Sequence, residues 1–138
     1  MEKAAFQLTN YTFNHVLFKL PEESGGKTWE VNFTPKGAFS SSTKTFALSV
    51  LTQCKLKEQQ EPSIVVLCNA IFTFEKDLAF SEIPDYFYTN SIPILYPYIK
   101  AFIGTLGMLA NSRNALILPT YNLSTLADIL RKNTREVE

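Results

Sequence analysis

A single histidine and two cysteines are all that this chain of 138 residues offers to metal or thiol chemistry. His15 stands alone, with no cysteine or acidic cluster at ligand spacing, and metal or catalytic sites need several convergent groups. Cys54 and Cys68 do not form a CxxC pair. Glycine is scarce, and neither Gly25-Gly26 nor Gly104 and Gly107 is followed by the Lys-Ser/Thr of a phosphate-binding loop. Glu22-Glu23 and Glu58/Glu61 fall in polar stretches that read as solvated loops. No nucleophile, base and orienting group can be assembled, so an enzyme is not expected, nor is a cofactor or metal. Excess charge is missing too. Thirteen acidic and thirteen basic residues cancel, which argues against a nucleic-acid footprint and against an acidic tail. No basic start followed by an apolar run marks a secretory leader. The chain is therefore expected to be cytosolic, with its cysteines as buried thiols rather than a disulfide.

What the chain does have is aromatic and apolar surface, with eleven Phe and six Tyr. Residues 92–126 concentrate it. The segment opens with Pro93 and Pro97 and continues as a long helical stretch to Ala110. Residues 111–114 break it, and an apolar stretch without helical period follows over 116–123. A helix apolar on nearly every side has to be covered on nearly every side, and loops are normally polar. A bilayer span is disfavoured by Lys100, whose charge would cost about 2.5–3.5 kcal/mol at the membrane centre. Self-association and a groove left open for a partner are the expected outlets.

Before residue 75 the pattern is that of strands. Residues 6–13 alternate loosely, and 16–20 resume with a slip of phase at Asn14 and His15 that predicts a bulge. Residues 22–27 read as a loop. Residues 29–33 alternate well until Pro35 and Gly37 interrupt, which predicts an edge strand. Residues 45–57 and 63–74 form a hairpin whose shared face carries Phe46, Leu48, Val50, Thr52, Cys54 and Leu56 on one strand and Ile64, Val66, Cys68, Ala70, Phe72 and Phe74 on the other. Val65, Leu67 and Ile71 make the second strand apolar on both sides, hence central. Centring the hairpin on Glu61 sets Cys54 opposite Cys68. Residues 82–91 read as a short turn of helix, 92–110 as the long helix with Leu95, Ile99, Phe102, Leu106 and Leu109 on one stripe, and 123–134 as a last helix capped by Asn122. Strands followed by helices predict an α+β domain over 1–138, with the sheet in about 4–75 and the helices in about 82–134.

Three segments together resemble the SecB family of protein-export chaperones: Ala70-Ile71-Phe72-Thr73-Phe74 closing a strand, Ile94-Leu95-Tyr96-Pro97-Tyr98 opening a helix, and Leu116-Ile117-Leu118-Pro119-Thr120-Tyr121-Asn122-Leu123 before the last helix. The resemblance spans residues 63–126 and extends weakly over 6–56. It implies a four-stranded antiparallel sheet with two main helices on one face, assembled as a dimer of dimers. It also implies a client groove between the sheet and the leucine-rich loop, lined by Val31, Phe33, Leu116, Leu118 and Tyr121. In the long helix, Tyr98, Ala101 and Met108 form a second apolar side. With Gly104 allowing backbones to approach, they are the expected contact between copies.

The function so implied is an ATP-independent holdase for unfolded or pre-secretory polypeptides. The family's acidic sheet surface, which meets the SecA motor, is not matched: this chain is neutral, with Lys44, Lys55 and Lys57 near its sheet, so SecA is a doubtful partner. Dedication to an antitoxin, or a non-chaperone module for one apolar ligand or peptide, are the alternatives.

Overall fold

The computed structural model describes residues 5–19, 28–110 and 118–138. Four long strands, β1 (Phe6–Phe18), β2 (Trp29–Ser40), β3 (Thr45–Leu56) and β4 (Ile64–Phe74), are followed by a helix α1 (Asp85–Leu109), a short helix α2 (Ala127–Lys132) and a strand β5 (Thr134–Val137). The sheet order is β1-β4-β3-β2-β5. The first four strands pair antiparallel, and β5 runs parallel to β2. The sheet is thus five-stranded and mixed, not four-stranded and antiparallel as the sequence suggests. Thr134–Val137 carries one apolar residue and no alternation; it is held by its backbone ladder to Gly37–Ser40 and by the bond from the Gly37 N–H to the Asn133 carbonyl.

The two central strands follow the period-2 rule strictly. Every even residue of β3 and β4 from Phe46 to Leu56 and from Ile64 to Phe74 is buried, and every odd one is half-buried. β4 lies between β1 and β3, as its two apolar faces require. The expected bulge in β1 occurs between Phe13 and His15, and a second lies between Leu8 and Asn10. Asn14 uses its displaced position on the outer face to accept hydrogen bonds from the Thr12 hydroxyl (2.7 Å) and the Asn69 amide (2.6 Å).

One register expectation fails. Cys54 stands opposite Ile64 and Cys68 opposite Val50, so the cysteines are not cross-strand neighbours. The polar run Glu58-Gln59-Gln60-Glu61-Pro62 hides the turn centre. The turn closes early, with the Gln59 N–H on the Leu56 carbonyl, and the Ser63 N–H then reaches the Cys54 carbonyl. Both thiols are free and buried on the helix-facing side. Of the three lysines assigned to the sheet, Lys55 alone lies in a strand, 3.3 Å from Glu30 on the outer face.

β2 does not stop before Pro35. It runs on through Gly37 to Ser40, because Pro35 turns its missing N–H away from β3 and the ladder between the two strands stays complete. Gly37 is fixed by close approach. A Cβ there would lie 2.3 Å from the Phe46 ring and 2.6 Å from the Thr134 hydroxyl. Neither can yield, since Phe46 is fully buried against Phe87 (ring centroids 4.6 Å apart) and Thr134 donates to the Leu130 carbonyl.

α1 starts at Asp85 and absorbs both the expected short helical turn and the two prolines. Pro93 and Pro97 sit on its partly exposed side, so the carbonyls they leave unpaired are turned from the core. By length and composition the helix could cross a membrane, and a third of its most apolar window is buried in this fold. Phe87, Ile92, Leu95, Ile99 and Ile103 are the fully covered row against the sheet, each contributing about 1.5–3 kcal/mol by leaving water. The row continues to Gly107 rather than to Leu106 and Leu109; Leu109 is 74% exposed. A strict four-residue step drifts around a helix of 3.6 residues per turn, which turns Leu109 outward. The expected last helix is shorter, a 3₁₀ turn (Leu123–Leu126) leading into α2. Asn122 makes no side-chain bond to that turn's backbone; its carbonyl oxygen accepts from the Ser124 hydroxyl instead. Arg131 of α2 pairs with Asp85 and lies 4.6 Å over the Tyr88 ring, tying α2 to the start of α1.

Gly37→Ala is expected to lower the unfolding free energy in a denaturant titration by about 1–3 kcal/mol, the usual cost of overpacking. Gly104→Ala should not, because nothing lies within 4 Å of a Cβ built at Gly104.

Candidate functional site

The odd-numbered residues of β2 pair with the buried row of β3: Trp29 with Leu56, Val31 with Cys54, Phe33 with Thr52. They therefore face the helical layer. α1 covers β3 and β4 more fully than it covers β2, and Trp29, Val31 and Phe33 remain half-buried at the margin of the core. Opposite them stand Tyr96 from α1 and Tyr121 from the segment after the leucine-rich stretch. The three rings of Phe33, Tyr96 and Tyr121 meet edge to face at centroid distances of 5.6–6.1 Å, a geometry favourable for aromatic pairs. The Tyr96 hydroxyl donates to the Pro119 carbonyl at 2.6 Å, which fastens the 118–122 segment to α1.

Of the residues that the resemblance names, Phe33 and Tyr121 are in contact, and Val31 lies in the same half-buried row of β2 as Phe33. Leu116 lies outside the described residues. Leu118 is 2% exposed and part of the core, so it presents nothing to a ligand. Tyr96 and Trp29 are the members that sequence reasoning missed. The Tyr96-Pro97-Tyr98 string pointed at Tyr96 as a helix start, yet only the helix's rotation shows that Tyr96 turns inward and Tyr98 outward.

The groove is electrically quiet. Burial, with smaller contributions from nearby Tyr121 and Cys54, pushes the Tyr96 phenol up to about 12, and burial also raises Tyr121. Burial pushes the Cys54 thiol beside Val31 up to about 12 and Cys68 up to about 11. All four are neutral near pH 7 and offer apolar surface with two hydroxyls. Under Phe33, the Thr52 hydroxyl is buried without a hydrogen-bond partner among the described residues. Among these residues, no group of three or more His, Cys, Asp or Glu is placed to hold a metal ion. Such a surface can take up apolar side chains.

A second apolar surface lies on the outward side of α1. Tyr98 (43% exposed) and Met108 (70%) share it with Ala101 and Gly104, all exposed in the single chain. Ile94 and Leu109 enlarge it. Tyr98 is partly engaged already, 4.5 Å from the Tyr11 ring of β1.

No family model and no curated protein sequence matches the chain. Its fold is similar to that of a SecB-like chaperone of Mycobacterium tuberculosis solved in complex with a peptide from an antitoxin. The TM-score is 0.64 at 20% identity, over 85% of this chain and 91% of that one. A Streptococcus agalactiae protein of unknown function aligns at a TM-score of 0.47 and 13% identity, over 83% of this chain and 97% of that one. The fold is thus α+β and SecB-like, with a mixed five-stranded sheet.

Buried groups that stay protonated in the fold make it alkali-sensitive. A thiol or phenol whose folded pKa is raised leaves stability intact below its unfolded pKa and withdraws it as the pH climbs towards the folded value. Unfolding free energy should accordingly fall from about pH 9, up to about 12 for Cys54 and about 11 for Cys68, by about 1.4 kcal/mol per pH unit for each thiol within its window. Cys54→Ala should give a shallower fall in the same titration.

Proposed function

We propose that this chain is a cytosolic, ATP-independent holdase that binds unfolded polypeptide segments in the groove between β2 and the 118–122 segment. The observation that carries the reading is the uncharged, half-covered row of Trp29, Val31, Phe33 and Tyr121 on a SecB-like fold. Burial of apolar client surface at about 25 cal/mol per Å² supplies the affinity, and it carries no sequence code. The antitoxin peptide held by the mycobacterial neighbour supports a polypeptide as the ligand. It keeps dedication to one antitoxin as the second reading. Neutral Ser, Asn and Thr on the outer sheet face do not favour delivery to SecA.

Stoichiometric amounts of the protein should delay aggregation of several unrelated unfolded proteins, read by light scattering. Protection of one client alone would point to a dedicated partner or to a module for a single ligand, and protection of none would overturn the chaperone reading. Phe33→Asp and Tyr121→Asp should weaken protection while the fold survives, because both side chains are partly exposed and a carboxylate there forfeits burial. Leu118→Asp should unfold the chain.

The same reading includes a homo-oligomer, up to a dimer of dimers, built on the outward side of α1. Glycine inside a helix costs about 0.5–1 kcal/mol relative to alanine, and nothing among the described residues needs Gly104 to be small. Close approach of a second helix would need it. Sedimentation at micromolar concentration should show a mass above one chain, and Gly104→Trp should lower it, from two chains to one or from four to two, with an unchanged circular dichroism spectrum. A wild-type monomer would overturn this assembly.

A further inference from the structure

The parity of β2 exposes a set of backbone groups that its side chains do not reveal. In an antiparallel pair, alternate residues turn both N–H and C=O to opposite edges. The Thr28 carbonyl accepts from the Lys57 N–H on the β3 side, whereas the Gly37 N–H donates to Asn133 on the far side. Odd residues of β2 therefore face away from β3. Along that edge β5 pairs with Gly37–Ser40, the Asn133 amide takes the Pro35 carbonyl at 3.1 Å, and Pro35 has no N–H. Among the described residues nothing pairs there with Trp29, Val31 or Phe33. Natural sheets protect such edges. The opposite edge, β1, is broken by two bulges, while this stretch of β2 is regular.

We infer that Trp29, Val31 and Phe33 accept an extended peptide as an added strand, in line with β5 and ending at Pro35. This rests on the reading above that the chain holds polypeptides, and it specifies the ligand's form. A strand laid about 4.8 Å from β2 would place every second side chain beside Trp29, Val31 and Phe33 on the groove side. The intervening side chains would stand beside exposed Glu30 and Asn32 on the outer face. The fitting ligand is a segment with apolar residues at alternate positions and polar residues between, bound through its main chain and half of its side chains.

The probe is an acetylated octapeptide with Val, Phe and Leu at positions 2, 4 and 6 and Ser, Gln and Lys elsewhere, together with analogues carrying one backbone N-methyl group at each position in turn. Methylation at alternate positions should weaken binding roughly five- to tenfold, the worth of one hydrogen bond, and methylation between them should not. Val31→Pro removes one edge donor while leaving the β2–β3 ladder whole, as Pro35 already does, and should weaken the parent peptide by a similar factor. An N-methyl series without a period of two overturns strand addition, and it decides the matter if Val31→Pro fails to fold. A parent peptide that does not bind overturns it as well. If unfolded proteins are still held in the scattering assay, the holdase reading survives that failure; if they are not, both fall.

Discussion

One helix has to cover a sheet wider than itself, and the rest of the molecule follows from that mismatch. A helix with its side chains is about 10–12 Å across, whereas four strands at about 4.8 Å spacing span about 14 Å between their outer axes. α1 spends its inward row on the central strands, where Phe46, Leu48, Val66 and Phe72 are fully buried. Phe13 of β1 still reaches the helix by stacking on Phe102 at 4.0 Å. At the other margin the first half of β2 meets Tyr96 of α1 and Tyr121, and its Trp29, Val31 and Phe33 stay half-buried. The half-open groove is the part of the sheet that a single helix leaves over.

The elements legible in the sequence were those whose signal is side-chain burial. β3 and β4 alternate without a fault because a slip of one residue would turn an entire row of large apolar side chains to solvent. The bulge at Asn14 showed as a break in that same pattern. The bulge between Leu8 and Asn10 did not, since Thr9 and Asn10 are polar and fit either phase. Elements held by backbone groups were silent. β5 is visible only as a ladder to Gly37–Ser40, and the extension of β2 past Pro35 depends on which edge the missing N–H faces.

For the groove, residue types were readable and rotation was not. Phe33 and Tyr121 came from resemblance to a chaperone family, and the structure sets their rings 5.6 Å apart. Leu118 has the same apolar character in the sequence as the residues around it, yet it points into the core. Tyr96 and Tyr98, two positions apart, end on opposite sides of α1 because each residue turns the helix by about 100°. Hydrophobicity alone cannot separate a residue that lines a groove from one that supports it.

Charge marks the other boundary of what this architecture can do. Of Lys44, Lys55 and Lys57, Lys55 is the one in a strand, and it is paired with Glu30; Lys36 of β2 is exposed on the same outer face. The centre of the outer face carries a neutral chain of Ser49, Asn69, Asn14 and Thr12 joined by short hydrogen bonds. Satisfied neutral dipoles at its centre produce little long-range field, so the charges on this face are confined to exposed Lys36 and the Lys55–Glu30 pair towards its β2 side. Recognition is thereby left to short-range contact, meaning apolar burial in the groove and backbone groups at the edge. Under the proposed function, both are features that nearly every unfolded segment could match, whereas a charged docking face would select among partners. On the proposed reading that the chain holds polypeptides, an uncharged groove would take apolar segments without selecting among them by charge.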